Sequence, residues 1–447
     1  MSTNGKGRLS SGAATPGRRR QLGGAAAAAV LASTLAACGG GGSDTSGAPV
    51  LNWYINPDSG GQAEIAQRCS DASNGAYTIE VSQLPRNSPG QREQLVRRLA
   101  AGDESIDIMS LDTPFPPELA QAGFLAPVPD DLAQRVSEGV VQGALESATW
   151  NDELVTIPFW ANTQLLWYRK SVAEQAGLDM TQPVTWEQLI TAAQDTGKTI
   201  AAQGIRSESL TVWLNALIES AGGSIIEENS EDPEQIQFGL TSPAADRAAE
   251  VMRAVADSGV TGPAFSTANE DANASLFESE DAGFMVNWPF VYAKALAAVE
   301  AGTMDPSVPE DYGWALYPRV DADTPSAPPI GGIDLGVSAV SPHVDLAYQA
   351  TECITSDENQ AYYMVTNGNP ASSAAVYDDP EVQEAYPMAT LIRESLEAAA
   401  NRPQTAYYSE VTGAIQREYH PPSSVSPETG ERAQELITEV LSGDQLL

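Results

Sequence analysis

The stretch from Val50 to Asp112 decides the fold class, because short apolar runs alternate in it with amphipathic segments. The runs VLNWY (50–54), YTIEV (77–81) and IDIMSL (106–111) are typical of strands, and residues 62–71 and 91–101 are typical of helices. Strands that alternate with helices predict a largely parallel sheet with helices on both faces. Such a sheet binds ligands beyond the carboxyl ends of its strands, and Asp112 directly follows one of these ends.

A second series of alternating elements begins at QLLWYR (164–169), which is typical of a strand. Further strands are predicted at AGFMV (282–286) and IDLGVSAV (333–340), and helices at 186–195 behind the cap residue Thr185, at 211–220 and at 243–257. Beyond residue 345 the pattern is almost wholly helical. Two α/β series in one chain predict two lobes, and a cleft between lobes is where small ligands usually bind.

Residues 1–37 are typical of an export signal. Four arginines precede an Ala-rich apolar run, Leu22–Leu35, which is too short to span a membrane and closes on LAAC (35–38). This ending resembles the bacterial lipobox, which implies cleavage before Cys38 and lipidation of its thiol; residues 38–49 then form a lipidated, Gly/Ser-rich tether. An ordinary cleaved signal peptide followed by a free cysteine remains the alternative. We therefore expect lipid anchoring on the extracytoplasmic face of the cell membrane.

The pair Arg19-Arg20 fits a twin-arginine export signal, although general secretion stays equally open. Residues 1–37 carry five cationic side chains and no acidic one, so their removal changes the net charge of −37 to −42. Such a charge disfavours nucleic acid and polyanionic ligands. With Cys38 assigned to lipid, Cys69 and Cys353 remain as a pair, and outside the cytoplasm a disulfide is expected. Two buried free thiols are the alternative.

An enzyme is the main alternative class, but its usual signatures fail. AAQDTGKT (192–199) lacks the leading Gly of a phosphate-binding loop and ends a helix, and the sequence holds no G-x-S-x-G, H-E-x-x-H or G-x-G-x-x-G motif. His343 and His420 are the only histidines, which disfavours histidine metal clusters and catalytic triads. A carboxylate pair for glycoside hydrolysis remains open among the 60 acidic residues. We predict no catalytic residue, no metal and no cofactor.

Three segments resemble the sugar-binding proteins of ABC importers, extracellular solute-binding family 1: FESEDAGFMVNWPF (277–290), IPFWANTQLLWYR (157–169) and GGIDLGV (331–337). In that family the first reaches the cleft through a Pro-aromatic turn, and the other two are hinge crossings. Trp288 replaces the Gly that precedes this Pro in the wider family, and with the segment around Asn162 it resembles mycobacterial trehalose-binding lipoproteins. Glu280 departs from the family, which has a helix-ending Gly there.

The resemblance implies a two-lobed, periplasmic-binding-protein-like (type II) α/β fold, each lobe a mostly parallel sheet flanked by helices. Lobe 1 would comprise residues 50–161 and 332–380, and lobe 2 residues 162–331 and 381–447. The implied function is capture of a neutral disaccharide, with trehalose favoured, by closure of the hinge. A monomer would then deliver the sugar to ABC permease subunits powered by cytoplasmic ATPases. Maltose or another oligosaccharide is the alternative ligand, and an exported glycoside hydrolase is the alternative from another class.

The resemblance also assigns binding residues. Asp112 and Asn162 would bind hydroxyls from lobe 1 and the hinge, while Glu278, Trp288 and Arg402 would close from lobe 2, with Trp288 stacked on a sugar ring. Weaker candidates in the same cleft are Glu208, Gly332, Ile333 and Tyr408. Without the resemblance these side chains also fit structural roles, such as a cap after a strand for Asp112 or core packing for Trp288.

Overall fold

The computed structural model describes residues 47–447. Its strands are β1 Val50–Ile55, β2 Thr78–Gln83, β3 Ile108–Asp112, β4 Thr149–Trp150, β5 Glu153–Leu154, β6 Ile157–Thr163, β7 Leu165–Arg169, β8 Thr199–Ala201, β9 Ile226–Glu228, β10 Gln237–Phe238, β11 Ala282–Asn287, β12 Tyr312–Ala315 and β13 Ile330–Val337. Its α-helices are α1 Gly61–Ala72, α2 Ser88–Ala100, α3 Pro116–Gln121, α4 Asp130–Gly139, α5 Gln142–Ser147, α6 Lys170–Ala176, α7 Trp186–Thr196, α8 Glu208–Ser220, α9 Pro243–Asp257, α10 Glu270–Glu278, α11 Phe290–Glu300, α12 Ser307–Glu310, α13 Val344–Ile354, α14 Asp357–Asn367, α15 Pro380–Ala385, α16 Ala389–Glu397, α17 Tyr408–Glu418 and α18 Thr429–Leu441. Short 3₁₀ turns occupy Pro233–Gln235, Phe265–Thr267, Ala374–Asp378 and Pro422–Ser424.

The first sheet has five strands in the order β2-β1-β3-β13-β6. Strand β1 runs parallel to β2 and β3, as the alternation of strands and helices between residues 50 and 112 predicts. Strand β13 runs antiparallel to both β3 and β6. Side chains such as Leu51, Trp53 and Leu335 are fully buried in the core beside this sheet.

The second sheet has four strands in the order β12-β7-β11-β8. Only β11 and β8 are parallel neighbours, while β7 is antiparallel to both β11 and β12. A separate core around Trp186, Trp213 and Leu217 packs beside this sheet. The α/β class is therefore confirmed, but the expectation of mostly parallel sheets is wrong. Strands β7 and β13 are each reached by passage from the other sheet, so no crossover connection within one sheet makes them run parallel to their neighbours.

The chain passes between the two sheets at β6 and β7, which are separated by Gln164 alone, and again between β12 and β13. A third core lies where these strands meet and includes Ala161, Leu165 and Ile330 together with the helical residues Met364 and Leu396. The two sheets thus share packed side chains along the crossings. The predicted lobe boundaries stay a prediction.

Two predicted elements differ from the observed ones at their ends. Helix α8 starts at Glu208, three residues before the predicted start, because a carboxylate in the first turn is stabilised by the helix dipole. Strand β13 covers Ile330–Val337 and not 333–340, so its first residues reach back to β6. By contrast, Thr185 caps α7 as predicted and forms a capping box with Gln188.

Cys69 and Cys353 form a disulfide, which confirms the predicted pairing. The first cysteine lies on α1 and the second on α13, and both belong to the core of the first sheet. The disulfide therefore leaves the crossings between the sheets unconstrained. Cys38 and the predicted signal lie outside the described residues. No helix within residues 47–447 combines the length and the apolar character that crossing a membrane requires.

Candidate functional site

A cleft of about 430 Å³ lies between elements of the two sheets. From the first-sheet side it is lined by Asn56, Pro57, Arg86, Ser88, Gln91, Asp112, Trp160, Asn162, Gly331, Gly332, Ile333 and Asn369. Elements of the second sheet and the C-terminal region contribute Glu208, Ser209, Val212, Glu270, Trp288, Phe290 and Arg402.

Strand register places the cleft residues of the first sheet side by side. Ile333 on β13 lies opposite Asp112 on β3 and opposite Trp160 on β6, so these three residues form one row across the sheet. Asn162 lies opposite Gly331, two residues before Ile333 on β13, so this pair forms the next row on the same face of the sheet. Asp112 is the last residue of its strand, which is where an open α/β sheet presents ligand-binding groups.

Two glycines of β13 allow neighbouring groups to approach the strand closely. A Cβ at Gly331 would lie 3.2 Å from Cη2 of Trp288, which is tighter than most contacts of a Cβ, so the glycine lets the indole rest against the backbone without a shift. Gly332 has φ of +144°, which other residues rarely adopt, and a Cβ there would lie 2.3 Å from the carbonyl oxygen of Trp160. Gly332 therefore requires glycine, whereas a side chain at Gly331 would displace the indole of Trp288 by a few tenths of an ångström.

The wall opposite the first sheet is organised by Asn287, the fully buried last residue of β11. Its Oδ1 accepts a hydrogen bond from the backbone N–H of Trp288 at 2.9 Å, and its Nδ2 donates to the carbonyl oxygen of Glu270 at 3.0 Å. One amide thus fixes both the turn that carries Trp288 and the start of α10. Asn269 caps this helix by accepting from the N–H of Ala272.

Arg402 connects the two walls of the cleft. Its Nη2 donates to Oδ1 of Asp112 at 2.5 Å and to Oγ1 of Thr113 at 2.9 Å, while its Nη1 donates to Oε1 of Glu208 at 2.8 Å. The guanidinium side chain is only 4% exposed, against 19% for Asp112 and 22% for Glu208. Asp112 also accepts from Oγ of Ser88 at 2.5 Å. The carboxylates are therefore held at the cleft surface by a buried cation.

Glu208 is fixed from behind by the C-terminal region. Its Oε1 accepts from the hydroxyl of Tyr408, and its Oε2 accepts from Oγ1 of Thr412 at 2.9 Å. Burial, followed by the charge of Glu208, raises the pKa of Tyr408 well above its usual range, so the phenol remains a donor. Burial alone would lower the pKa of Arg402, but Asp112 foremost among its neighbours raises it well above the usual value.

The structure brings most of the predicted residues together. Seven of the predicted residues line the one cleft, namely Asp112, Asn162, Glu208, Trp288, Gly332, Ile333 and Arg402. Tyr408 is buried behind the cleft and acts on it through Glu208. Glu278 does not line the cleft; its carboxylate accepts from Nζ of Lys294 at 2.6 Å at the far end of α10.

Several cleft residues escaped the sequence analysis, above all Glu270, Trp160 and Arg86. Helix α10 points its first residue, Glu270, into the cleft and its last residue, Glu278, away from it. The sequence analysis chose Glu278 because the segment that resembles the family begins at residue 277, at the end of this helix. The cap residue Asn269 followed by two acidic residues was the signal that could have located the helix start instead.

The cleft combines an aromatic face with planar polar groups and little net charge. Trp288 offers a flat apolar surface, and the carboxylates can each accept from two neighbouring hydroxyls. Three lining carboxylates (Asp112, Glu208, Glu270) face two guanidinium groups (Arg86, Arg402). This arrangement can bind a hydroxyl-rich, uncharged molecule.

Comparison with known proteins identifies relatives over most of the chain. Residues 63–361 match a family described as bacterial extracellular solute-binding protein. A protein of Deinococcus radiodurans described as a probable ABC transporter-binding protein is 24% identical over 367 residues, which cover 77% of this chain and 81% of the relative.

Solved structures of sugar-binding proteins share the fold. The maltose-bound MalE3 of T. maritima is 25% identical, with a TM-score of 0.74 over 89% of this chain and 100% of that chain. The cyclic alpha-maltosyl-1,6-maltose binding protein of Arthrobacter globiformis is 20% identical, with a TM-score of 0.70 over 89% of this chain and 100% of that chain. The expected two-lobed fold of periplasmic sugar-binding proteins is thereby confirmed.

Behind the cleft, β13 carries a buried carboxyl group that the cleft does not use. Asp334 is 1% exposed and accepts a hydrogen bond from Oγ of Ser147 at 3.2 Å. Burial raises the pKa of Asp334 well above its usual range, against the hydrogen bond from Ser147, and the charge of Asp112 raises it further. The folded state therefore binds the proton of the Asp334 carboxyl group more tightly than the unfolded state does.

We predict that Asp334→Asn stabilises the protein at neutral pH. The stability that protonated Asp334 contributes is complete below its unfolded pKa of about 3.9 and is lost as the pH rises through the raised folded pKa. The neutral amide removes this loss, so the free energy of unfolding should increase by about 1–3 kcal/mol at pH near 7 and little at low pH. Urea denaturation at low pH and at pH near 7 measures this change in the free energy of unfolding.

The matched control is Asp195→Asn, at an exposed position of α7, which should change the free energy of unfolding by less than about 0.5 kcal/mol at every pH. An equal destabilisation by Asp334→Asn at all pH values would contradict the prediction, because it would mean that the ionised carboxylate is stabilising.

Proposed function

The chain belongs to the bacterial extracellular solute-binding protein family, and on this premise we propose that it captures a neutral disaccharide, trehalose or a close relative, for an ABC importer. Family and fold are those of non-enzymatic transport components. The hydrolase alternative is therefore set aside. The observation that carries the proposal is that Trp288 shares one cleft with Asp112, Glu208 and Arg402.

The charges of the cleft favour an uncharged ligand. Arg402 is already compensated by Asp112 and Glu208, and the cleft adds Glu270 and the exposed Arg86 at its edge. An anionic ligand would meet three carboxylates in a chain whose net charge is −37. Burying a charge without a partner is costly, so a neutral ligand is favoured over an acidic one.

The side chains of the cleft suit the two surfaces of a sugar. The apolar C–H face of a pyranose ring can pack on the indole of Trp288 with large contact area and little loss of rotamer freedom. Its hydroxyls can donate to the carboxylates of Asp112 and Glu270, and charged acceptors make such bonds stronger. Because unpaired polar groups in a closed site cost about 1–3 kcal/mol each, ligands that lack these hydroxyls should be rejected.

The choice of trehalose rests on the resemblance of the segments around Asn162 and Trp288 to mycobacterial trehalose-binding lipoproteins. Maltose is the second candidate, because a relative of known structure, 25% identical to this chain, is described as maltose-bound. A cleft of about 430 Å³ falls within the range of small-molecule sites and does not by itself separate the two disaccharides.

The proposed mechanism is closure of the two walls around the sugar. A ligand that touches Asp112 on one wall and Trp288 on the other makes all of its contacts only when the walls are close together. Its binding energy therefore shifts the population toward the closed form. The closed, loaded protein, acting as a monomer, would then dock on the permease subunits.

We predict that residues 39–447 bind trehalose saturably and without hydrolysis. Trp288→Ala should weaken binding by about 10–100-fold, because a lost apolar contact of about 1.5–3 kcal/mol corresponds to that change in Kd. Asp112→Ala should weaken binding at least tenfold, since it removes a charged acceptor. Isothermal titration with trehalose, maltose and glucose measures these changes. Heat with maltose alone would contradict the choice of sugar, and no heat with any of them would contradict the function.

Helix α10 provides a matched control within the same experiment. Glu270→Gln should weaken sugar binding by about tenfold through loss of a charged acceptor at the cleft. Glu278→Gln makes the same change at the other end of the helix and should leave Kd within about twofold. The reverse order of effects would mean that the helix end, and not its start, faces the sugar.

We also propose that the protein is held at the membrane through Cys38, as the LAAC ending at 35–38 suggests. A lipid group attached to the thiol of Cys38 adds buried CH₂ groups at about 0.8 kcal/mol each and so would anchor the chain to the membrane. The Cys38→Ala chain expressed in a bacterium should leave the membrane fraction, in which the unchanged chain is retained. Equal partitioning of the two chains would contradict the anchor.

A further inference from the structure

Three segments carry the binding groups of the wall opposite the first sheet. The loop after β8 leads to Glu208 at the start of α8, a second loop leads to Glu270 at the start of α10, and the end of β11 leads to Trp288. The three groups are separated by many residues in the sequence. Their spacing in the cleft therefore depends on contacts between the segments that carry them.

Two side-chain amides each join a pair of these segments. Nε2 of Gln203, in the loop before α8, donates to the carbonyl oxygen of Val286 in β11 at 2.9 Å. Nδ2 of Asn287 donates to the carbonyl oxygen of Glu270 at 3.0 Å, which ties β11 to α10. Gln203 and Asn287 are both fully buried. The position of Trp288 is thus tied to the segments that carry the other two groups.

Main-chain hydrogen bonds join the remaining pair of segments. The N–H groups of Gly204 and Ile205 donate to the carbonyl oxygen of Ala268 at 3.2 and 3.3 Å. A Cβ at Gly204 would lie 2.5 Å from the carbonyl oxygen of Phe265, so the absence of a side chain lets the two loops approach this closely. The three segments therefore form a closed triangle of hydrogen bonds, in which a side-chain amide makes each of two sides.

The amide of Gln203 is used on its donor side only. Its Oε1 is buried and receives no donor from residues 47–447. A buried polar atom without a partner lowers stability, so packing alone does not explain an amide at this position, where an apolar side chain of similar size such as methionine would fill the space. What the amide adds is the bond to Val286, two residues before Trp288.

We propose that Gln203 and Asn287 are positioning residues of the sugar site, which fix the three binding groups of this wall relative to one another before the ligand arrives. The inference rests on the proposed function. Groups that are held in place in advance lose little freedom when the sugar binds, and binding is stronger for that reason. Neither Gln203 nor Asn287 lines the cleft, so each acts on the sugar only through the groups that it positions.

The test is isothermal titration of residues 39–447 carrying Gln203→Met with trehalose and with maltose. Methionine fills a similar volume but cannot donate to the carbonyl oxygen of Val286. We therefore expect the Kd of the sugar that the unchanged chain binds to rise by about 3–10-fold, which is the effect of one lost hydrogen bond.

A double-mutant cycle separates positioning from a general loss of stability. In the Trp288→Ala background, Gln203→Met should weaken binding by no more than about twofold further, because the indole that it positions is missing. In the Asp112→Ala background, on the other wall, Gln203→Met should keep its effect to within about twofold, since independent changes add. Equal effects in the two backgrounds would overturn the proposal.

The matched control is Asn359→Leu, which removes another buried amide that donates to a main-chain carbonyl, that of Cys353 at 2.8 Å, away from the cleft. This variant should lower the midpoint of urea denaturation but leave Kd within about twofold. Circular dichroism establishes that each variant is folded. An unchanged Kd for folded Gln203→Met, or an equal rise for Asn359→Leu, would overturn the positioning role while sugar binding stands. No heat from the unchanged chain with either sugar would contradict the proposed function and the positioning role with it.

Discussion

The guanidinium of Arg402 is the interaction on which the cleft depends. It bridges Asp112, at the end of a strand in the first sheet, and Glu208, in the first turn of a helix beside the second sheet. A cation this deeply buried is stable only while both carboxylates accept from it, and removing one partner of a buried pair costs about 3–5 kcal/mol. The two ion pairs of Arg402, with Asp112 and with Glu208, therefore fix the relative position of the two walls when the cleft is closed.

The remaining features of the site follow from holding these charges in place. Tyr408 and Thr412 fix Glu208 from behind, and Ser88 fixes Asp112 from the side. The charges of Arg402, Asp112 and Glu208 largely compensate one another. The cleft therefore offers strong hydrogen-bonding groups but little electrostatic attraction for a charged ligand. Gly331 then lets Trp288 lie against β13, which places an aromatic face beside those groups. A neutral, hydroxyl-rich ligand satisfies both parts of this surface.

Sequence reasoning located what depends on local pattern and failed where contacts are made over long separations. Asp112 was predictable because it follows a buried strand, and Cys69 with Cys353 because few cysteines were available. Arg402 and Glu208 are 194 residues apart, and no periodic pattern in the sequence indicates that two such distant residues form an ion pair. Glu278 was preferred over Glu270 because the resembling segment begins at residue 277, beyond the cap that starts the helix. The mixed sheets were missed because strand alternation does not reveal at which point the chain passes from one sheet to the other.

The most direct test of the account is a crystal structure of residues 48–447 with trehalose. The account predicts that one glucose ring lies on the indole of Trp288 and that sugar hydroxyls donate to Asp112 and Glu270, while Arg402 still bridges Asp112 and Glu208. A disaccharide bound outside this cleft, or one bound in it only after the bridge to Asp112 has broken, would contradict the account.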